Sequence, residues 1–579
     1  MRTARPQRHR PCGKAQVAAA LGCLLAALGC GGNTAGAGAA GPSSPPAHGS
    51  RPPALNSPGR PTNSAERDAP LGAALKAADG QLSTMTTAQE VGQLLMPYFY
   101  GAAADAVDAA EAAANVRSSG ASTAGEMIAR YHVGGVILIQ RPDGPSTTTH
   151  NLDDPAQITR LTAQLQQAAH ADGQYLPLLI STDQEEGIVT RIGAPATLLP
   201  GNMALGAAAD PALTQAAAAA SGGELATVGV NMDMAPDADV LTAGPANTVI
   251  GSRSFGADPQ RVAEHTKAAL IGFRQAGVAA VVKHFPGHGS VTLDSHDTAP
   301  VITGGRELLV SRDLPPFQAA LSAGAEAVMV GHLRVASLDA SQPATYSPAL
   351  IDGLLRRELG FSGVVVTDAL RMGGAREYPP GEAAVRAILA GADILLMPSD
   401  LAATQQGLLA AVETGRLSKG RLDESVRRVL RLKARLSAQP PIDAPLGSHQ
   451  ALANSVAVAA VTVVSGPCSG RLLPLGPVRL TGGTDAERSA FAAALASHGE
   501  PVTMHGPLIQ LVDAYQHPSG AAAAAVALDV PWPLDDIDAP VRLAAFSNTP
   551  ASLAAVAAVL AGDLPARGVM PVPMQHGCG

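Results

Sequence analysis

The chain has 579 residues, of which 46% are hydrophobic and 15% charged. At roughly 100–200 residues per domain that length holds two to four domains, and the composition excludes a globally disordered chain. A formal net charge of −8 makes nucleic acid and other polyanions poor partners for the body. Aromatics are only 3%, with a single tryptophan, Trp532, so the core has to be built from Val, Leu, Ile and Ala.

Arg2, Arg5, Arg8, Arg10 and Lys14 precede an apolar run from Ala15 to Leu28. A basic start followed by a short apolar stretch reads as a secretory signal over residues 1–29. The run is short of the ~20 residues needed to span a bilayer. Ala27-Leu28-Gly29-Cys30 is similar to a bacterial lipoprotein cleavage site, with Cys30 as the lipidated residue, although Ala27 stands where such sites usually carry Leu. Cys23, after Ala20-Leu21-Gly22, is a second candidate. Residues 30–80 are rich in Gly, Ala, Ser and Pro and read as a flexible linker, which would let a catalytic body stand off a membrane. Cys468 and Cys578 are too few for a disulfide framework, and spacing alone does not say whether they pair.

From residue 84 to 437 short apolar runs alternate with amphipathic stretches. Strands are expected at Val91–Tyr98, His132–Ile139, Leu176–Asp183, Val228–Ala235, Val278–His284, Ala327–His332, Gly363–Asp368 and Asp393–Pro398. Continuous apolar runs such as Val364-Val365-Val366 fit parallel strands buried on both faces. Val91–Tyr98 reads equally well as the end of a helix. Eight strand–helix units predict an α/β fold, a (β/α)8 barrel over 84–437. Four runs end in polar residues: Asp183, Lys283-His284, His332 and Asp368. Strand C-termini of such barrels converge on one face, so these residues are candidates for a common site.

After Pro440-Pro441 the pattern changes. Val456–Val464, Val478–Leu480, Leu508–Val512, Ala525–Leu528 and Leu543–Phe546 read as strands, and Ala486–Ala496 and Ala551–Leu560 as helices. This predicts a smaller α/β sandwich domain over 447–579, without a glycine-rich nucleotide fingerprint.

Several motifs carry a family resemblance. Lys283-His284-Phe285-Pro286-Gly287-His288-Gly289, followed by Asp294-Ser295-His296, resembles the bacterial β-N-acetylglucosaminidases of glycoside hydrolase family 3. So do Ser181-Thr182-Asp183-Gln184-Glu185, Ile250-Gly251-Ser252-Arg253-Ser254-Phe255-Gly256, Met329-Val330-Gly331-His332 and Val365-Val366-Thr367-Asp368-Ala369-Leu370, all in the family's order. Ser547-Asn548-Thr549-Pro550-Ala551-Ser552 resembles a piece of the sandwich domain that many members carry.

The resemblance implies a retaining glycosidase, with a nucleophile on one face of the sugar and a proton donor at the leaving oxygen. It makes Asp368 the nucleophile and His296, oriented by Asp294, the acid/base. Residues two apart in an extended loop project to the same side, which lets the carboxylate hold the imidazole. An imidazole's ordinary pKa near ~6.5 suits proton donation and return. Asp183, Arg191, Arg253, Lys283 and His284 fall at positions that hold the non-reducing sugar. Carboxylates accept from hydroxyls, and Lys and Arg donate to hydroxyl and acetamide oxygens. The implied substrate is an N-acetylglucosamine-containing glycan or muropeptide. No metal or organic cofactor is implied. The expected state is a monomer, secreted and lipid-anchored to the outer face of a bacterial membrane.

One segment departs from the family pattern. Glu186 stands where a Gly is usual, which matters if that backbone needs positive φ, and Ile188 replaces a cation. Four other readings stand beside the hexosaminidase. His284, His288, Asp294, His296, His332 and Asp368 also suit a zinc hydrolase, although no two-histidine motif lies on the first strand. The altered 186–188 segment suits a non-catalytic carbohydrate-binding lipoprotein. An imidazole acid/base repels phosphate less than a carboxylate does, which suits phosphorolysis. A β-glucosidase preference is a fourth, set against the presence of the Asp294-Ser295-His296 loop.

Overall fold

A computed structural model describes residues 64–141, 147–439, 441–442, 444–514 and 520–574. The expected signal, Cys30 and the start of the linker lie outside the described residues.

Eight short parallel strands form a ring. They are β1 (Leu95–Met96), β2 (Gly135–Ile137), β3 (Leu179–Thr182), β4 (Met232–Asp233), β5 (Ala279–Phe285), β6 (Ala327–Val330), β7 (Val364–Thr367) and β8 (Leu395–Leu396). β2 to β7 pair in sequence order as one six-stranded sheet, and β1 pairs with β8. Two links close the circle. Ile137 N–H donates to Pro97 O at 3.1 Å between β2 and β1, and Thr367 N–H donates to Ile394 O at 2.9 Å between β7 and β8.

Alternation along each strand splits the apolar residues into two sets. Met96, Ile137, Leu179, Met232, Val281, Met329, Val366 and Leu396 fill the barrel interior as one buried cluster. Val136, Ile180, Val282, Val328 and Val365 point outward into a larger cluster shared with the helices. Each buried Val or Leu contributes about 1.5–3 kcal/mol. The scarcity of aromatics is met by many such aliphatic contacts.

The first expected strand resolves into two elements. Thr86 and Gln89 form a capping box that starts the helix Thr87–Gln93, and β1 follows it. Residues 64–80, expected as part of the linker, instead belong to a helix, Ser64–Thr84, that packs on the helix Lys419–Ala438. Its Ala-rich sequence, read as tether, is also a good helix former.

The second domain holds five strands: β9 (Thr462–Ser465), β10 (Arg479–Gly482), β11 (Leu508–Val512), β12 (Ala524–Ala527) and β13 (Val541–Ala544). Their order is β9-β13-β12-β11-β10, with β9 antiparallel to β13 and the other pairs parallel. Val456–Val464, expected as one strand, is a helix Gln450–Ala460 followed by β9. Its buried residues Ala453, Val456, Ala457 and Ala460 recur at helical spacing, which outweighs the β-branched valines. Cys468 is disulfide-bonded. A third apolar cluster joins the two domains, bringing Met203, Ala207, Leu241 and Ile250 of the barrel loops against Val464, Leu534, Phe546 and Met570.

Candidate active site

The strand ends converge on a buried charge network. Lys283, near the end of β5, places Nζ 3.0 Å from Asp183 Oδ1 and 2.5 Å from Glu185 Oε1. Arg253 grips the same Glu185 with two prongs, Nε to Oε2 at 2.7 Å and Nη2 to Oε1 at 2.8 Å. A planar guanidinium matches a carboxylate in this bidentate way. Burial would push the Glu185 carboxyl up, but Arg253 and Lys283 outweigh it and hold its pKa well below the usual carboxylate range. Glu185 in turn raises both cations above their ordinary values against their own burial.

His284 is held by its other neighbours. Its Nδ1 lies 2.7 Å from Asp239 Oδ2, and its Nε2 lies 3.4 Å from Arg253 Nη2. Burial, helped by the Arg253 charge, lowers its pKa to about 4. The ring is therefore neutral near pH 7. It donates from Nδ1 to Asp239 and keeps the Nε2 lone pair toward Arg253. Arg191 joins this group through its backbone, donating N–H to Gln184 Oε1 at 2.8 Å, one residue from Asp183.

Asp368 follows β7 directly and is 9% exposed. Its N–H donates to Val330 O at 2.9 Å, and its Oδ1 accepts from Ala369 N–H at 2.7 Å. Burial pushes its carboxyl up. The His332 and His284 rings, the Ala369 N–H and the His296 ring outweigh that, so its pKa sits below the ordinary value. It is an ionised carboxylate at neutral pH. His332 is fully buried, with Nδ1 2.7 Å from Thr345 Oγ1 and Nε2 3.0 Å from Ala369 O. A carbonyl only accepts, so Nε2 carries the hydrogen and fixes the backbone just after Asp368.

His296 approaches from the loop after β5. Its side chain is 64% exposed, and its Nδ1 lies 2.8 Å from Asp294 Oδ1, which also accepts the His296 N–H at 2.8 Å. The loop is tied down at Ser295 and His296. Ser295 Oγ lies 3.1 Å from His288 Nε2, and the His296 and Ser295 carbonyls accept from Gly373 and Gly374 N–H at 2.7 and 3.1 Å. Gly373 and Gly374 lie on the segment that follows Asp368. A Cβ on Gly373 would meet Asp297 O at 2.2 Å, so the close seating of the two loops requires that glycine.

Glu186 does sit at positive φ, +67°. Its Oε1 accepts from Ser221 Oγ at 2.7 Å and Gln184 Nε2 at 3.1 Å, while its buried Oε2 has no hydrogen-bond partner among the described residues. Ile188 is half exposed.

Sequence reasoning passed over Glu185 and Asp239 as site residues and named His288 only as a candidate zinc ligand. Glu185 lay within the motif read for Asp183. Asp237 and Asp239 follow β4 as an acidic pair, the signal that was available. Asp237, Asp239 and His284 set ligand atoms within 4.8 Å of one another and form a group, among the described residues, that could hold a metal ion. In this arrangement an imidazole N–H meets Asp239, and the Arg253 guanidinium stands 3.7 Å from Asp237 Oδ2.

The barrel mouth thus gathers an ionised strand-end carboxylate, a buried Lys–Glu–Arg network and a loop-borne imidazole, groups that suit the cleavage of a glycosidic bond. Residues 86–432 match the family model described as the glycosyl hydrolase family 3 N terminal domain. The chain is 36% identical over 416 residues to Beta-hexosaminidase A of Pseudoalteromonas piscicida, covering 66% of this chain and 67% of that one. It is 35% identical over 330 residues to Beta-hexosaminidase LpqI of Mycobacterium tuberculosis, covering 54% and 79%. The solved structure of a glycoside hydrolase family 3 beta-N-acetylglucosaminidase from Paenibacillus sp. superposes with a TM-score of 0.72 at 33% identity, over 85% of this chain and 100% of that one. The chain belongs to glycosyl hydrolase family 3 and is a glycoside hydrolase.

Proposed function

We propose that the protein is a retaining exo-β-N-acetylhexosaminidase that removes terminal N-acetylglucosamine from peptidoglycan-derived fragments. The hexosaminidase names of its relatives support the sugar. The observation that supports the mechanism is the seating of the His296 loop on the Gly373-Gly374 segment, which follows Asp368 in the chain.

In this reading the Asp368 carboxylate attacks the anomeric carbon while the glycosidic C–O bond breaks. His296 gives the proton on Nε2 to the departing oxygen, with Asp294 holding Nδ1–H. Water then loses a proton to His296 and displaces Asp368, restoring both groups. Asp183, Arg191, Arg253, Lys283 and His284 hold the non-reducing sugar by hydrogen bonds, and an analogue lacking a hydroxyl would leave one of these site groups unpaired.

The test is a panel of nitrophenyl glycosides together with mass spectrometry of enzyme trapped by a 5-fluoro-N-acetylhexosaminide. The expected result is turnover of the N-acetylglucosaminide far above the glucoside and xyloside, with the adduct on Asp368. Turnover confined to glucosides would overturn the sugar, and an adduct elsewhere would overturn the nucleophile. We further propose secretion and a lipid anchor at Cys30, on the strength of the basic and apolar leader. Cys30→Ser should release the protein from the membrane fraction, and a variant that stays bound would refute the anchor. Among the described residues no helix is long and apolar enough to cross a membrane.

A further inference from the structure

Asp183 and Arg191, both proposed to hold the sugar, lie on the loop between β3 and the helix Asn202–Ala208. Their spacing is fixed by Gln184, which is 4% exposed. Its backbone N–H donates to Asp233 Oδ1 at 2.9 Å, at the end of β4. Its side-chain Oε1 accepts from the Arg191 and Ile192 N–H groups at 2.8 and 3.0 Å. One residue thus joins the start of the loop to its middle.

A carboxamide accepts at one end and donates at the other. Backbone N–H groups only donate, so Gln184 Oε1 has to face Arg191 and Ile192, and Nε2 needs an acceptor on the opposite side. Glu186 is that acceptor, with Oε1 3.1 Å from Gln184 Nε2. The same oxygen accepts from Ser221 Oγ at 2.7 Å, which fastens the pair to the helix Pro211–Thr227. Glu186 reaches this place from a backbone at φ +67°, a conformation that residues other than Gly rarely adopt. Packing presses the turn into this shape: a Cβ on the neighbouring Gly187 would stand 2.9 Å from Gly201 Cα. A strained residue kept in a binding loop directs attention to the contact that it makes.

We propose that Glu186 is a positioning residue for sugar binding: it aims the Gln184 amide, and through it sets Asp183 and Arg191 at the spacing the non-reducing sugar needs. The proposal rests on the glycosidase reading above and adds to it a residue that itself touches no substrate. It also gives a role to a carboxylate standing where the motif usually has Gly. Only Oε1 makes the tie, and Oε2 has no hydrogen-bond partner among the described residues. An amide in place of the carboxylate therefore keeps both contacts. With no acceptor there, the Gln184 side chain is free to turn, and its NH2 would then meet the Arg191 N–H donor against donor.

Glu186→Ala and Glu186→Gly test the tie, with Glu186→Gln as the rescue. On a nitrophenyl N-acetylglucosaminide the first two should raise KM by about tenfold, the scale of one charge-assisted hydrogen bond, and change kcat by less than about twofold. Glu186→Gln should bring KM back to near the wild-type value. Glu186→Gly relieves the positive φ, so its thermal midpoint should lie above that of Glu186→Ala while its KM rises as far. A role confined to stability would make KM follow the midpoint instead. An unchanged KM in both, a fall in kcat alone, or the same loss in Glu186→Gln would each overturn the proposal.

Amide hydrogen exchange gives a readout that needs no sugar. Exchange at Arg191 and Ile192, followed by mass spectrometry of the peptides that carry them, should rise in Glu186→Ala and Glu186→Gly and stay at the wild-type level in Glu186→Gln. Unchanged exchange in the first two would mean that Gln184 keeps its aim without Glu186, and the proposal falls. If exchange rises while the wild type neither binds nor cleaves an N-acetylhexosaminide, the aiming of Gln184 stands and the glycosidase reading alone fails.

Discussion

Lys283 and His296 stand at the same barrel mouth at opposite extremes of burial. The lysine side chain is 2% exposed and the imidazole 64%. Lys283 sits on a strand, inside a network where each charge is countered by a direct ion pair. His296 sits on a loop held by one serine hydroxyl and two backbone hydrogen bonds. The difference teaches which part of the site is set before substrate arrives. The side proposed to hold the sugar is preorganised by charges that cannot relax without losing several kcal/mol. The side proposed to donate the proton is an exposed loop whose imidazole is held, among the described residues, by Asp294. Asp368 lies between the two and is biased by histidines from both.

The comparison can be broken at its hinge first. Asp368→Ala should lower kcat on nitrophenyl N-acetylglucosaminide by on the order of 10⁴-fold or more, since it removes the carboxylate proposed to form the covalent bond. A loss below tenfold would remove Asp368 from the mechanism. Next comes the buried side. Glu185→Ala leaves Lys283 and Arg253 buried without their main partner and should cost about 3–5 kcal/mol of stability, read as a lowered denaturation midpoint. If the midpoint stays put, the network is not a constraint and the contrast with the loop fails. The exposed side should behave in the opposite manner. His296→Ala should change stability by less than ~0.5 kcal/mol. It should slow substrates with poor leaving groups by about 10²–10³-fold and activated phenolates far less. Equal losses on both would mean that His296 does not supply the proton.

The same contrast explains what the sequence could reveal. β3, β5, β6 and β7 were legible because their apolar runs are buried on both faces and end abruptly in Asp183, Lys283-His284, His332 and Asp368. Neighbours in sequence carried that signal. Glu185 was not legible as a partner, because its role depends on Arg253, which arrives from 68 residues away along the chain. Asp239 depends in the same way on His284, 45 residues on. The helix Gln450–Ala460 was hidden by valines that satisfy a strand pattern as readily as a helical one. The docking of the second domain on the Gly251–Arg253 turn was not legible either. It rests on packing of Val530 against Gly251 and on the apolar cluster that Ile250 shares with Leu534 and Phe546, contacts no local pattern encodes.

Glu186 offers the finest probe of the buried side, because it is a charge that the network does not answer. Burial, against the bonds from Ser221 and Gln184, pushes its carboxyl up to about 7 from an ordinary 4.5. The folded state therefore binds its proton more tightly than the unfolded state does. The stability this contributes is complete below pH 4.5 and is lost as pH rises through about 7. Glu186→Gln keeps the shape and the Ser221 contact but cannot ionise. Thermal midpoints of the two proteins should run together near pH 4.5 and separate by pH 8, with the wild type lower by about 1–3 kcal/mol in stability terms. Parallel curves across that range would show that the carboxyl next to Glu185 finds a compensating cation or water. The buried side would then be more yielding than its ion pairs imply.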